Sequence, residues 1–269
     1  MKNTVIVDGR QIASQIQRKL SQEVTDNNIK LKLAVVLVGD NKVSARYVDR
    51  KVAFGQAIEV EVTVREFDSS IHEEELINEI ERLTIDQSIG GVVVQLPLPT
   101  HLDTEKILSA IPASKDVDAL GLEPMVESPV VEAVKEILDQ YKVKVTDRQV
   151  VVVGAGRLVG RPLAKWFTEE GGAVELVTKS TDNLAGALAL ADIIVLGAGE
   201  PGLVKPDMIK EGAVLIDAAT SEVAGRLAGD ADPDCAKKCA VFTPVPGGVG
   251  PLTIAMLFKN FFDLVKRQS

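Results

Sequence analysis

The sequence holds little from which to build a metal centre: two histidines and two cysteines in 269 residues. Cys235 and Cys239 stand four apart with no histidine near them, and His72 and His101 are distant from each other. The chain therefore offers neither a zinc ligand set nor a Cys/His nucleophilic pair. No metal is expected, and the two thiols read as reduced, structural groups in a helix. Positive charge is also short. A formal charge of −9 argues against nucleic acid or an anionic membrane as partner, while leaving room for a local basic pocket. Long apolar runs are missing too, so nothing spans a bilayer, and Met1-Lys-Asn-Thr-Val-Ile-Val-Asp8 lacks the apolar centre of a signal peptide. The expected compartment is the cytoplasm. What is present, 46% hydrophobic residues in a chain of this length, suits one or two globular domains.

The stretch from Gln149 to Pro162 organises the rest. Val150–Val153 is short, β-branched and continuously apolar, as a parallel strand covered on both faces must be, and Gly154 and Gly156 follow it. Such glycines let the backbone approach a ligand, and the helix that follows turns its free amides toward an anion. The third glycine of a dinucleotide fingerprint arrives one position late, at Gly160, with Val159 in its place. Further strands at 173–178 and 192–196 complete a βαβ rhythm, which points to a Rossmann-type domain; an α/β core without a nucleotide is the alternative. The second strand ends in Val177-Thr-Lys-Ser-Thr181 with no acid at its tip, so the usual acceptor for an NAD ribose is missing and NADP is favoured over NAD. The cofactor residues expected are Gly154, Gly156, Arg157, Val159, Gly160, Thr178, Lys179 and Ser180. Lys179 and Arg157 could meet a 2′-phosphate or be ordinary solvated side chains.

In chain order, Asp8 caps a helix with Ile12, Ile16, Leu20 and Val24 on one stripe, and 33–38 reads as a strand. A helix over 44–51 puts Tyr47 and Lys51 on one face, where a tyrosine packed on a lysine stem is the plain reading. Ile58, Val60, Val62 and Val64 alternate with polar residues as a half-exposed strand. Ser70 to Glu73 resembles a capping box. Gly90–Val94 is a buried strand, and Gln95 stands at its C-terminal end, where open α/β sheets bind ligands. Asp118 lies in a polar turn and reads as a turn cap. Ser128-Pro129 opens a helix over 129–141. A strand at 213–217, a hairpin over 222–230, a turn after Val241 and an amphipathic helix over 252–266 complete the chain.

Five segments together carry a resemblance: Tyr47-Val-x-x-Lys51, Gln95-Leu-Pro-Leu-Pro99, Lys115-Asp-Val-Asp118, Val159-Gly-Arg-Pro162 and Thr243-Pro-Val-Pro-Gly-Gly-Val-Gly-Pro-Leu-Thr253. In this order and spacing the chain resembles, over nearly its whole length, the bifunctional methylenetetrahydrofolate dehydrogenase/methenyltetrahydrofolate cyclohydrolase family. The resemblance implies an NADP-dependent oxidation of 5,10-methylenetetrahydrofolate and hydrolysis of the methenyl product to 10-formyltetrahydrofolate. It implies that Tyr47 lies against the folate ring, that Lys51 serves the proton transfers, that Gln95 orients that amine without fixing its charge, and that Asp118 accepts from the pterin N–H groups. Gly247, Gly248 and Pro251 would wall the substrate side.

The implied architecture is a two-domain α/β protein. Residues 1–128 with 251–269 would form the folate-binding catalytic domain and 129–250 the Rossmann-type domain, with the C-terminal helix returning to the first and the active site in the cleft. A homodimer through the Rossmann domain is implied, with the 222–230 hairpin as a candidate contact. The departures from the family gather on the nucleotide side. Asp118 is followed by Ala119-Leu-Gly-Leu-Glu-Pro124 and a shortened path to Pro129, the glycine loop has Gly156 where serine is usual, Ala218-Ala-Thr220 replaces Val-Gly-Ile, and Ala53 replaces a second lysine. These leave two alternatives open: a cyclohydrolase with an impaired dehydrogenase step, and a non-catalytic folate or nucleotide sensor.

Overall fold

The computed structural model describes residues 4–27 and 30–268; the outermost ends of the expected domains, Met1 and Ser269, lie outside these. In chain order the elements are β1 (Val5–Ile6), α1 (Gly9–Asn27), β2 (Lys32–Val38), α2 (Lys42–Ala57), β3 (Val62–Phe67), α3 (Glu73–Ile85), β4 (Ile89–Val94) and α4 (Thr104–Ser109). Then follow α5 (Pro129–Gln140), β5 (Gln149–Val153), α6 (Gly160–Glu169), β6 (Ala173–Val177), α7 (Leu184–Leu190), β7 (Ile193–Leu196), β8 (Val214–Asp217), β9 (Ser221–Val223), β10 (Arg226–Ala228), β11 (Val241–Phe242) and α8 (Val249–Gln268). The chain divides into two compact units, Ser14–Pro129 with Ile254–Ser269, and Met1–Ala13 with Val130–Thr253. The fold is two-domain α/β, and the three boundaries fall inside α1, at the start of α5 and inside α8.

The first unit is built on three parallel strands in the order β3-β2-β4. Strand β2 is central and covered on both faces, which is why Leu33–Val38 is unbroken apolar sequence. Leu33 and Val35 face Phe258, Phe261 and Phe262 of α8. Ala34 and Val36 face Leu76, Ile80 and Ile107. Each fully buried phenylalanine contributes about 2–3 kcal/mol of apolar transfer energy. The paired glycines of β4 have a packing cause: a Cβ on Gly90 would lie 2.7 Å from Val265, and one on Gly91 2.6 Å from Val117. Helix α8 is also fastened by Asn260, whose Nδ2 donates to the carbonyls of Val117 (3.0 Å) and Glu127 (2.7 Å).

The second unit carries six strands, all parallel, in the order β1-β11-β8-β7-β5-β6, with β9 and β10 as a separate antiparallel hairpin. Its core includes Val151, Val153, Leu196 and Leu215 with Leu188 of α7.

Several sequence expectations change. Residues 4–13 and 251–253 fall in the six-stranded unit, not with the expected catalytic domain; at the first of these, Val5 and Ile6 pair with Val241 and Phe242. Ile58 and Val60 are buried ahead of strand β3 rather than within it: Ile58 caps α2, Glu59 takes φ +60°, and Val60 N–H donates back to Gly55 O at 2.9 Å. No capping box forms at Ser70, whose hydroxyl is held by Asp68 Oδ1 at 2.6 Å, and His72 occupies the N-cap of α3. Cys235 lies in a single 3₁₀ turn, Pro233–Lys237, and Cys239 just beyond it. Burial pushes their thiols up to about 11 and about 12.

Candidate active site

In the three-stranded unit the chain leaves β2, adds β3 on one side and then β4 on the other. The strand order reverses between β2 and β4, and in such sheets the crevice at the carboxyl ends of the strands takes the ligand. Two side chains meet there. Gln95 is the first residue after β4, and its N–H donates to Val36 O at 2.9 Å, continuing the ladder one step past the strand. Lys51 comes from α2, the helix that leaves β2, whose start is fixed by Asn41 Oδ1 accepting from Val43 and Ser44 N–H at 3.0 Å each.

Lys51 is 7% exposed, and its Nζ donates to Gln95 Oε1 at 2.8 Å. The Gln95 Nε2 donates in turn to Leu96 O at 2.9 Å, so the amide is held at both ends with its oxygen toward the amine. Burial pulls the Lys51 amine below the usual lysine range, opposed by the charge of Asp118. Burial pushes the Asp118 carboxyl up, opposed by Lys51. Each group therefore favours the charged form of the other while the site penalises both. Tyr47, one helical turn before Lys51, is half-buried, with the Arg50 guanidinium 5.5 Å from its ring centre.

Asp118 is delivered by a tight turn that hangs on β4. Val92 N–H donates to Lys115 O at 2.8 Å, and Asp116 Oδ2 accepts from Gly121 N–H at 2.7 Å. Ala119 takes φ +54° to make the reversal. Asp116 is 2% exposed, and burial, with the charge of Asp118 adding to it, pushes its carboxyl up to about 6. The sequence reading quoted Asp116 inside its motif without singling it out. Its signal was the apolar Val117 that follows, which needs the turn tucked inward.

The remaining expected residues belong to the six-stranded unit. Gly247, at φ +112°, has its carbonyl bound by Gly9 N–H at 2.9 Å, at the start of α1. A Cβ on Gly248 would lie 2.7 Å from Pro244 O. Pro251 falls in the first turn of α8. Here the strand order reverses at β5, whose carboxyl end runs into the glycine loop. Gly154 sits at φ +98°, and a Cβ on it would stand 2.6 Å from Gly197 O. A Cβ on Gly160 would run into the Gly154 carbonyl, so Gly160 is the glycine that lets α6 close on β5. A Cβ on Gly156 would meet nothing within 4 Å. Val159 is the N-cap of α6 without a side-chain capping bond, and Arg157 is half-buried in the loop.

At the tip of β6, Thr178 and Ser180 hydroxyls lie 2.8 Å apart, and the exposed Lys179 ammonium stands 4.0 Å from Glu200. A loop with open space at one glycine, a helix start without a side-chain cap and a strand tip bearing hydroxyls and a lysine suit a phosphate-bearing dinucleotide. The sequence reading missed two acids near this loop. Asp230 is fully buried and accepts from the N–H groups of Ala198, Gly199 and Glu200 at 2.7, 3.1 and 2.6 Å. Asp217, at the end of β8, accepts from Ala219 and Ala231 at 3.1 and 2.8 Å, and burial with the neighbouring Asp230 charge pushes it up to about 7. An acid closing an apolar four-residue strand was the available signal for Asp217; Asp230, in a polar loop, gave none.

Comparison with known proteins adds to this geometry. A family model described as the catalytic domain of tetrahydrofolate dehydrogenase/cyclohydrolase matches residues 7–118, and one described as its NAD(P)-binding domain matches residues 128–269. Residues 119–127, the shortened path after Asp118, fall between them. The bifunctional protein FolD of Nautilia profundicola is 39% identical over 277 residues, covering 97% of both chains. Among solved structures, the bifunctional enzyme FolD of Campylobacter jejuni superimposes with a TM-score of 0.94 at 33% identity, covering 99% of this chain and 100% of that one. The Trypanosoma brucei enzyme, solved with NADP and an inhibitor, gives 0.94 at 35% identity over 100% and 99% of the two chains.

Proposed function

The chain belongs to the tetrahydrofolate dehydrogenase/cyclohydrolase family, and from that premise we propose that it oxidises 5,10-methylenetetrahydrofolate to the methenyl form and hydrolyses that form to 10-formyltetrahydrofolate. The observation that carries the reading is the buried Lys51 amine bound to a neutral amide, Gln95, beside Asp118. Burial lowers the Lys51 amine, which eases the release of its proton, and an amine so placed suits general acid–base work.

In the hydrolytic step Lys51 Nζ takes one proton from the water that attacks the methenyl carbon and returns it to the ring nitrogen as the bond between that nitrogen and the carbon breaks; the second water proton leaves to solvent as the formyl C=O forms. Gln95 Oε1 keeps the amine aimed in both its neutral and its charged forms, because an amide oxygen accepts from either. Asp118 holds the pterin edge through its paired N–H donors and stabilises the ammonium while it carries the proton. Tyr47 offers a flat face to the ring system. By family resemblance, Gly247, Gly248 and Pro251 would also bind substrate.

NADP, bound, supplies the hydride acceptor for the oxidation. Gly154, Gly156, Val159 and Gly160 would cradle its pyrophosphate at the start of α6, and Thr178, Lys179, Ser180 and Arg157 would meet the 2′-phosphate. In the oxidative step the chain's contribution is placement: the glycines let the loop backbone approach the cofactor's pyrophosphate, and the folate is held by Tyr47 and Asp118. The solution state proposed is a homodimer through the six-stranded unit, with the β9–β10 hairpin and its half-exposed Val223 as contact, acting in the cytoplasm; light scattering across concentrations tests the dimer.

The deciding experiment supplies purified protein with 5,10-methylenetetrahydrofolate and NADP⁺ or NAD⁺, following reduced cofactor, and separately follows the decay of supplied methenyltetrahydrofolate. Both signals are expected. Hydrolysis alone would leave a cyclohydrolase with an impaired or repurposed nucleotide site, and the absence of both would overturn the reading.

A further inference from the structure

Three loops surround the expected dinucleotide site in the six-stranded unit: the glycine loop after β5, the tip of β6 and the segment 197–200 after β7. The last of these is held by an uncommon device. The fully buried Asp230 carboxylate accepts from three consecutive backbone N–H groups, Ala198, Gly199 and Glu200, and Ser221 Oγ donates to Gly199 O at 3.1 Å. The loop also touches the glycine turn, since a Cβ on Gly154 would lie 2.8 Å from Ala198 N. The backbone of Glu200 is therefore fixed, and its carboxylate, half-exposed, faces Lys179 at 4.0 Å.

The tip of β6, Thr178 to Thr181, has no acid of its own, which is what admits a 2′-phosphate. Glu200 brings one from across the sheet. As an exposed ion pair the contact adds little to stability. Its consequence is electrostatic: the ammonium offered to a 2′-phosphate is already shared with a carboxylate that would repel that phosphate.

We propose that Glu200, positioned by the three backbone bonds to Asp230, sets the cofactor choice of this protein by weakening its hold on the 2′-phosphate, so that NAD and NADP are less sharply distinguished than the β6 tip alone would have them. This rests on the reading of the unit as a dinucleotide site. A residue that acts only on the 2′-phosphate leaves the rest of the nucleotide untouched, which separates this role from a structural one.

The test is calorimetric titration of the whole protein with 2′,5′-ADP and with 5′-ADP, for the wild type and for Glu200→Gln and Glu200→Lys. Glu200→Gln is expected to tighten 2′,5′-ADP by about two- to fivefold, with 5′-ADP changed by less, as suits one exposed charge. Glu200→Lys is expected to tighten 2′,5′-ADP by about tenfold, and both gains should shrink as salt is raised. If the two fragments move together, or neither moves, Glu200 does not set the choice. If the wild type binds neither fragment, the dinucleotide reading falls and this inference with it.

Discussion

The Lys51 amine and the Gln95 amide oxygen meet at 2.8 Å where the strand order of the small sheet reverses, so the buried amine is met by a dipole while the Asp118 charge acts on it as well. An amine in that setting is held in place without being locked in its charged form. That property is what proton transfer in both directions asks of a residue.

Lys51→Met removes the amine and keeps the stem. Hydrolysis of methenyltetrahydrofolate should fall by about 10²- to 10⁴-fold, the span of a lost general acid–base group. Thermal unfolding should be unchanged or slightly raised, because burial already works against the charge. Full hydrolytic activity in a folded variant would remove Lys51 from the mechanism.

Gln95→Glu places a negative charge on the amine. An adjacent opposite charge favours the ammonium and raises its pKa, so the limb of the pH–rate profile that needs neutral Lys51 should move to higher pH by about one unit or more. A profile that keeps its position would show that the amide does not govern the amine.

Asp116 links the site to stability. Its carboxyl rises from the ordinary 3.8 to about 6 in the folded state, so the fold holds that proton more tightly than the unfolded chain does. The stabilisation is complete below pH 3.8 and is lost as pH rises through 6, a change on the order of 3 kcal/mol. Urea unfolding at pH 4 and pH 7 should show Asp116→Asn losing less stability over that interval than the wild type, since asparagine can still accept from Gly121 but does not ionise. Equal losses in the two proteins would count against it.

Two glycines of one loop should part company. Gly160→Ala brings a methyl onto the Gly154 carbonyl and should destabilise the six-stranded unit, by about 1–3 kcal/mol for an overpacked contact. Gly156→Ala meets nothing in the protein, so its melting temperature should hold while NADP affinity falls. Calorimetry and thermal melts on the pair would check both.

The layered α/β arrangement was readable because strands covered on both faces announce themselves as unbroken Val/Ile/Leu runs, as at 33–38 and 150–153, and the glycine loop follows its strand directly. Lys51 and Gln95 were readable only as a pattern shared with a family; nothing in the 44–51 helix itself distinguishes Lys51 from a surface lysine. The misplaced strand start at Ile58 and Val60 has a local cause. A period of two was present, but a residue at φ +60°, Glu59, turned it into a buried corner. At Ser70 the nearer Asp68 competed for the hydroxyl that a capping box requires. Asp116, Asp217 and Asp230 escaped notice because their acceptors are filled by backbone N–H groups, and those partners exist only once the loops have folded.

The short strand β1 binds its neighbour through Val5 and Val241. During synthesis, then, β1 waits without this partner until Val241 and Phe242 have left the ribosome. The six-stranded sheet can gain this edge only after β11 has been made, long after β1, and a chain stopped short of Val241 would leave both β1 and the β11-facing side of β8 open to the wrong companion.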